Sequence, residues 1–150
     1  MTGMADVYVM APATHPTAIF PWLESYSVGV PEVDTQHKGL IRLINELHAA
    51  MASGKGKQSL GKIFDELVRY TESHFTYEEK LLKEKGYSSL VAHQAAHAKL
   101  KRQVVELRDR QRNSQLTMTV EVMQFLKGWL TDHILQHDQA YSREFAGRSR

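Results

Sequence analysis

Two short pairs, His74–Glu78 and His93–His97, stand on either side of Gly86 in the run HFTYEEKLLKEKGYSSLVAHQAAH. Positions four apart on an α-helix share a face and lie about 6 Å apart along its axis, so each pair can aim two ligating atoms at one point. Gly86 reads as the stop of one helix and Ser88 as the N-cap of the next. Folding back there sets Glu78 level with His93 and His74 level with His97, because both pairs have their midpoint between Lys85 and Gly86. Four metal-ligand side chains then face one another across a helical hairpin.

The remaining turns pass the same test. A first helix is expected from Asp34 or Thr35, with Asp34 as N-cap, and its apolar stripe Leu40, Ile41, Ile44, Leu47 and Met51 carries His37. The run SGKGKQS, Ser53 to Ser59, reads as a turn. The second helix has the stripe Ile63, Leu67, Tyr70, His74, Glu78 and Leu81/Leu82, and the third, from about Ser89 to Arg112, has Leu90, His93, His97, Leu100, Val104 and Leu107. After the break NSQLT, a fourth helix turns Met118, Val122, Phe125/Leu126, Trp129/Leu130 and His133 inward. His37 and His74 have their midpoint at Lys55/Gly56, inside the first turn, and His93 and His133 have theirs at Asn113, inside the last. Three turns thus bring the inward histidines and Glu78 into one layer. The fold class is all-α: an antiparallel up-down-up-down four-helix bundle with a polar girdle in its core and an extended N-terminal arm.

Residues 1–21 hold three of the four prolines and no sustained periodicity, and are expected to be a poorly ordered arm in which His15 is an ordinary surface histidine. The segment Trp22 to Val33 is expected to cross the bundle in extended form, anchored by Trp22. The bundle domain spans 22–145, and residues 146–150 are expected to fray. The charged residues, 24% of the chain with a formal net charge of +2, are interspersed, which argues for solvated helix faces and against a nucleic-acid surface. No run reaches the roughly 18 apolar residues of a membrane span, and no signal peptide is evident, so a cytoplasmic chain is expected.

With no cysteine in the sequence, a metal site must be built from nitrogen and oxygen. A dry core does not keep five imidazoles and a carboxylate for stability, because unpaired buried polar groups cost free energy. A metal site accounts for all of them together. Their number exceeds what one tetrahedral zinc takes, which favours two metals, and nitrogen-rich ligation with carboxylates suits iron, although manganese, copper and zinc fit the spacing. His48, at the stripe edge, and Glu79, off the stripe, read as structural and solvated.

Two metals need bridging oxygen. Glu78 supplies one bridge, and the second belongs near HILQHD, His133 to Asp138. Helix geometry alone prefers His137, four residues after His133. Asp138 is turned about 140° from His133 on a straight helix and reaches the metals only if the helix ends or distorts there. Charge prefers Asp138, because a second carboxylate leaves a diferrous hydroxo-bridged core at about +1.

The pieces SVGVPEVDTQHK, YTESHFTYEEKLL, GYSSLVAHQAAHAKL and FLKGWLTDHILQHDQAY resemble a hemerythrin domain, specifically a single-domain bacterial hemerythrin, from about Trp22 to Tyr141. The pattern His, His-x3-Glu, His-x3-His, His-x4-Asp is complete. The resemblance implies two iron ions with an oxo or hydroxo bridge: one held by His93, His97 and His133, the other by His37 and His74, with Glu78 and Asp138 bridging both. It implies dioxygen binding at the vacant position on the second iron, beside an apolar wall of Trp129, Leu130 and Ile134. Tyr141 matches a family tyrosine. Carriage, storage or sensing of oxygen is therefore expected of a monomeric non-enzyme, with an oxygen-consuming enzyme or a reductase as partner. The rival reading is a di-iron enzyme acting on peroxide, nitric oxide or ferrous iron.

Overall fold

Helix α1 runs Pro31–Ala52 and begins three residues before Asp34. Proline at N1 starts it, since its fixed φ suits a helix and its missing N–H is one that no helix start pairs. Asp34 holds the preceding loop instead of capping the helix: its carboxylate accepts from Ser27 Oγ at 2.6 Å and from the Val28 N–H at 2.9 Å. The structure is a computed structural model, and it describes residues 19–148. Most of the expected arm, with His15, and the last two residues lie outside the described residues.

From residue 19 to 30 the chain crosses the bundle, as the loss of helical spacing suggested, with one short 3-10 turn at Glu24–Tyr26. The anchors are Phe20 and Tyr26, both buried, while Trp22 is half-buried against Tyr26. The Phe20 N–H donates to Asn45 Oδ1 at 3.0 Å, and Asn45 Nδ2 returns a bond to the Phe20 carbonyl at 2.8 Å. Gln139 Nε2 reaches back to the Ser27 carbonyl at 2.9 Å, so the crossing segment ties α1 to the end of the bundle's last helix.

Helix α2 spans Lys57–Glu84, α3 spans Leu90–Arg112 and α4 spans Val120–His133. A π-helical turn, Ile134–Asp138, joins α4 to α5, Gln139–Arg148, making one continuous fourth rod. The helix persists through Arg148, which donates to the Lys85 and Gly86 carbonyls and to Glu144. Helices α1, α2 and α3 each stop in the same motif. After α2 the Tyr87 N–H bonds the Leu82 carbonyl and the Gly86 N–H bonds that of Lys83, with Gly86 at φ +65°. Gly54 takes this place after α1 at φ +74°. Ser114, not a glycine, takes it after α3 at φ +58°. Ser88 does not cap α3; its N–H and hydroxyl both bond Glu144, and Leu90 opens the helix. Thr119 caps α4, accepting from the Val122 N–H at 3.3 Å.

The core has three layers. A large apolar cluster (Leu40, Ile44, Leu67, Val104, Leu126 and their neighbours) fills one part, and a small one (Val28, Val33, Leu82, Tyr87, Tyr141) fills the other. Between them along every helix lie the buried polar groups His37, Thr71, His74, Glu78, His93, His97, His133 and Asp138. Each large buried apolar side chain contributes about 1.5–3 kcal/mol, and these contributions offset the cost of the polar layer. Two stripe residues deviate: Phe125 is exposed, with Leu126 taking the core position, and Phe64 is more buried than Ile63.

Candidate metal centre

The six side chains singled out by spacing, and Asp138, which charge and the resemblance favoured over His137, all meet in the polar layer. Ligating atoms of Glu78, His93, His97, His133 and Asp138 lie within 4.8 Å of one another, as do those of His37, His74, Glu78 and Asp138. The two groups share only the two carboxylates. His93 Nε2 is 3.0 Å from Glu78 Oε1 and 3.2 Å from Asp138 Oδ1. His97 Nε2 is 3.0 Å from Glu78 Oε1, and His37 Nε2 is 3.0 Å from Asp138 Oδ2.

Asp138 gets there through the π turn. In this turn the Gln139 N–H bonds the carbonyl five residues back, at Ile134, instead of four. The wider turn absorbs one extra residue, so a separation of five occupies the place that four has in an α-helix. Asp138 Oδ1 thereby stands 3.1 Å from His133 Nε2, and Asp138 is fully buried. His137, the helix-geometry alternative, is half-buried outside both groups, its ring stacked on His133 at 5.2 Å.

Several close approaches inside the cluster are not hydrogen bonds. Both oxygens of Asp138, both ring nitrogens of His37, and Nε2 of His74 are buried without a hydrogen-bond partner. Buried polar atoms that approach to about 3 Å without aligned donors are directed at common points between them, as metal ligands are. The donor set of imidazole nitrogen and carboxylate oxygen fits transition-metal ions.

Proton binding within the cluster is set by burial and by the neighbouring charges. Burial would raise Glu78, and Asp138 beside it pushes the same way, yet the His93 and His97 imidazoles against its oxygen hold it at about 2. Burial would also raise Asp138, but His133, His37 and His93 hold it well below the usual carboxylate range. Burial would lower His93, and the two carboxylates outweigh that, raising it to about 9. His37 is raised in the same manner, chiefly by Asp138 against its burial. His74 is lowered by burial to about 4 and stays neutral. The His93 imidazolium proton thus sits where a cation would neutralise Glu78 and Asp138.

Four surrounding residues complete the arrangement. His74 Nδ1–H donates to Gln36 Oε1 at 2.7 Å, and His97 Nδ1–H donates to Glu79 at 2.8 Å. Each bond fixes the tautomer that turns the Nε2 lone pair inward. Glu79 is therefore a partner of the centre and not a solvated charge, and spacing could not reveal it because the contact crosses from α2 to α3. Phe75 stacks flat on His97, centroids 3.8 Å apart. The Tyr141 hydroxyl donates to Glu78 Oε2 at 2.9 Å, and burial together with that carboxylate raises its pKa.

Leu130 and Ile134 are buried in the large cluster, and the Trp129 indole N–H donates to the Leu100 carbonyl at 3.0 Å. Trp129 also walls a cleft of about 370 Å³ between α3 and α4, with Leu100, Phe125, Gly128, His133 and His137. His48 stands apart from the centre. No helix among the described residues is long and apolar enough to cross a membrane.

The family model for the Hemerythrin HHE cation binding domain matches residues 28–144. A bacteriohemerythrin of Stenotrophomonas maltophilia is 35% identical over 125 residues, 83% of this chain and 80% of that protein. The bacteriohemerythrin of Methylococcus capsulatus is 30% identical, covering 83% of this chain and 95% of that protein. A crystal structure of wild-type hemerythrin superposes with a TM-score of 0.78 at 30% identity, over 84% of this chain and 97% of that one.

Proposed function

Given that this chain belongs to the hemerythrin family, we propose that it binds dioxygen reversibly at a pair of iron ions, for oxygen carriage, storage or sensing. The observation that carries this reading is the pair of unequal donor groups sharing Glu78 and Asp138. His93, His97 and His133 would hold one iron, and His37 and His74 the other. Glu78 and Asp138, common to both donor groups, would be shared by the two irons, together with an oxo or hydroxo bridge. The group with two histidines offers one protein donor fewer than the other, which would leave a position for a small molecule.

Bound iron supplies the electrons and the open coordination position that dioxygen needs; the protein's own groups hold and shield it. Gln36 and Glu79 keep their histidines in the ligating tautomer. Tyr141 holds Glu78 Oε2 in place with its hydroxyl proton. Trp129, Leu130 and Ile134 form the apolar wall that excludes water. Five neutral imidazoles with two carboxylates donate less negative charge than carboxylate-rich di-iron sites, which disfavours oxygen–oxygen cleavage. An oxygen-consuming enzyme would take the cargo, or a reductase would keep the irons reduced.

Metal analysis with an anaerobic optical titration tests the reading. About two irons per chain are expected, with a visible absorption band that grows with dioxygen and fades on degassing. A band that bleaches irreversibly with each oxygen pulse, or a single metal per chain, refutes it. One observation favours a second reading, a di-iron enzyme acting on peroxide, nitric oxide or ferrous iron. The α3–α4 cleft opens beside His133 and gives a second molecule a place to sit. Turnover of peroxide or nitric oxide well above that of free iron would establish that reading.

A further inference from the structure

Gln111, in the last turn of α3, is only 4% exposed, and the two ends of its amide are treated differently. Nε2–H donates to the Lys57 carbonyl at 3.1 Å, clasping the end of α3 to the start of α2. Oε1 is buried without a hydrogen-bond partner, and Gln111 is among the residues that line a cavity of about 610 Å³. Gly61 forms the adjoining wall, where a Cβ would stand 3.4 Å from Oε1. A glycine inside a helix costs about 1 kcal/mol relative to alanine, and here its absent side chain leaves the wall open. A buried acceptor without a donor costs about 1–3 kcal/mol, so this oxygen calls for a ligand that brings its own O–H.

The rest of the cavity calls for negative charge. Lys57, Lys62, Arg108 and Arg112 line it. Asp65 holds Arg112 at 2.8 Å and lies 4.0 Å from Arg108, which also bonds Asp109. Four cations against those two carboxylates leave an excess of two positive charges, and neither lysine is in an ion pair among the described residues. Helix α2 starts here on Gly56 with no side-chain cap and no acidic residue in its first turn. Lys57 and Gln58, the first residues of α2, line the same cavity, so the positive end of the helix dipole lies at it.

We propose that this end of the bundle binds hydrogen phosphate. Its charged oxygens would rest on Lys57, Lys62 and the α2 amides, and its P–OH would donate to Gln111 Oε1. Sulfate, fully deprotonated at neutral pH, has the same shape but no proton to give, so it leaves Oε1 unpaired. The site is about 25 Å along α2 from His74 and is independent of the metal centre.

Titration calorimetry of the metal-loaded full chain, with inorganic phosphate or sulfate at matched ionic strength, tests the proposal. Saturable binding of one phosphate is expected, at least about tenfold tighter than sulfate. Gln111→Met is expected to bring phosphate down to the level of sulfate. Lys62→Ala should weaken both anions while keeping their ratio. Gly61→Met, which fills the cavity wall beside Gln111 and keeps the amide that bonds Lys57, should lower phosphate affinity about tenfold, and it serves where the Gln111 variant does not fold. Metal content should be unchanged in all three. Equal affinity for the two anions in the native chain overturns the role of Oε1. No saturable binding of either overturns the site.

Discussion

Asp138 follows His133 by five residues, yet its Oδ1 lies 3.1 Å from the His133 Nε2, because the intervening turn is a π turn. A regular helix would have presented His137 in its place. The two candidates make opposite predictions. Asp138→Asn is expected to cut metal content from about two ions per chain to one or fewer, since the carboxylate belongs to both donor groups. His137→Ala is expected to retain both ions. Elemental analysis of the two purified variants decides between them.

The outer hydrogen bonds of the histidines are expected to matter nearly as much as the ligands. Glu79→Gln, which keeps shape and removes charge, and Gln36→Leu, which removes the acceptor, should each weaken metal binding about 10- to 100-fold. Both leave the apolar clusters untouched, so circular dichroism should be unchanged. Competition with a chromophoric chelator measures the affinity.

Without metal, stability should fall on both sides of neutrality. Glu78 is held at about 2 against an ordinary value of 4.5, so its contribution is complete above 4.5 and is lost as pH falls toward 2. His74 works in the same direction: the fold holds it neutral down to about 4, so stability declines as pH drops below 6.5. His93 is raised to about 9, so its contribution is complete below 6.5 and is lost as pH rises through 9. Metal replaces the His93 proton, so the loaded protein should lack the alkaline loss. Urea unfolding of both forms at about pH 5, 7 and 9.5 checks the pattern.

Ser114 occupies the left-handed position that Gly54 and Gly86 occupy in the two equivalent turns. A side chain there costs about 1 kcal/mol, so Ser114→Gly should stabilise the chain by about that amount. The urea midpoint should rise with no change in metal content.

The layer of candidate ligands was legible because it rests on two rules that need no tertiary information. Residues four apart share a helix face, and residues equidistant from a turn face each other. His74, Glu78, His93 and His97 follow from the first rule, and His37 and His133 from the second. Asp138 broke the first rule; charge and the family pattern, not periodicity, favoured it. Gln36 and Glu79 were not legible, because each lies off its own helix's apolar stripe and meets its histidine across a helix interface. The start of α1 was misplaced because Asp34 looks like an N-cap, whereas its carboxylate closes the loop before Pro31. Ser88 misled in the same way, its hydroxyl being engaged by Glu144 at the far end of the chain. Phe125 was placed inward by hydrophobicity, but Leu126 holds the core position and leaves the ring on the rim of the cleft.

Both donor groups end on Asp138, the last candidate ligand along the chain, and each draws on α2. A nascent chain that has emerged only as far as α3 therefore holds neither complete nest. Ion capture has to wait until the carboxy-terminal rod docks, so tight loading would certify that all four helices have found their places.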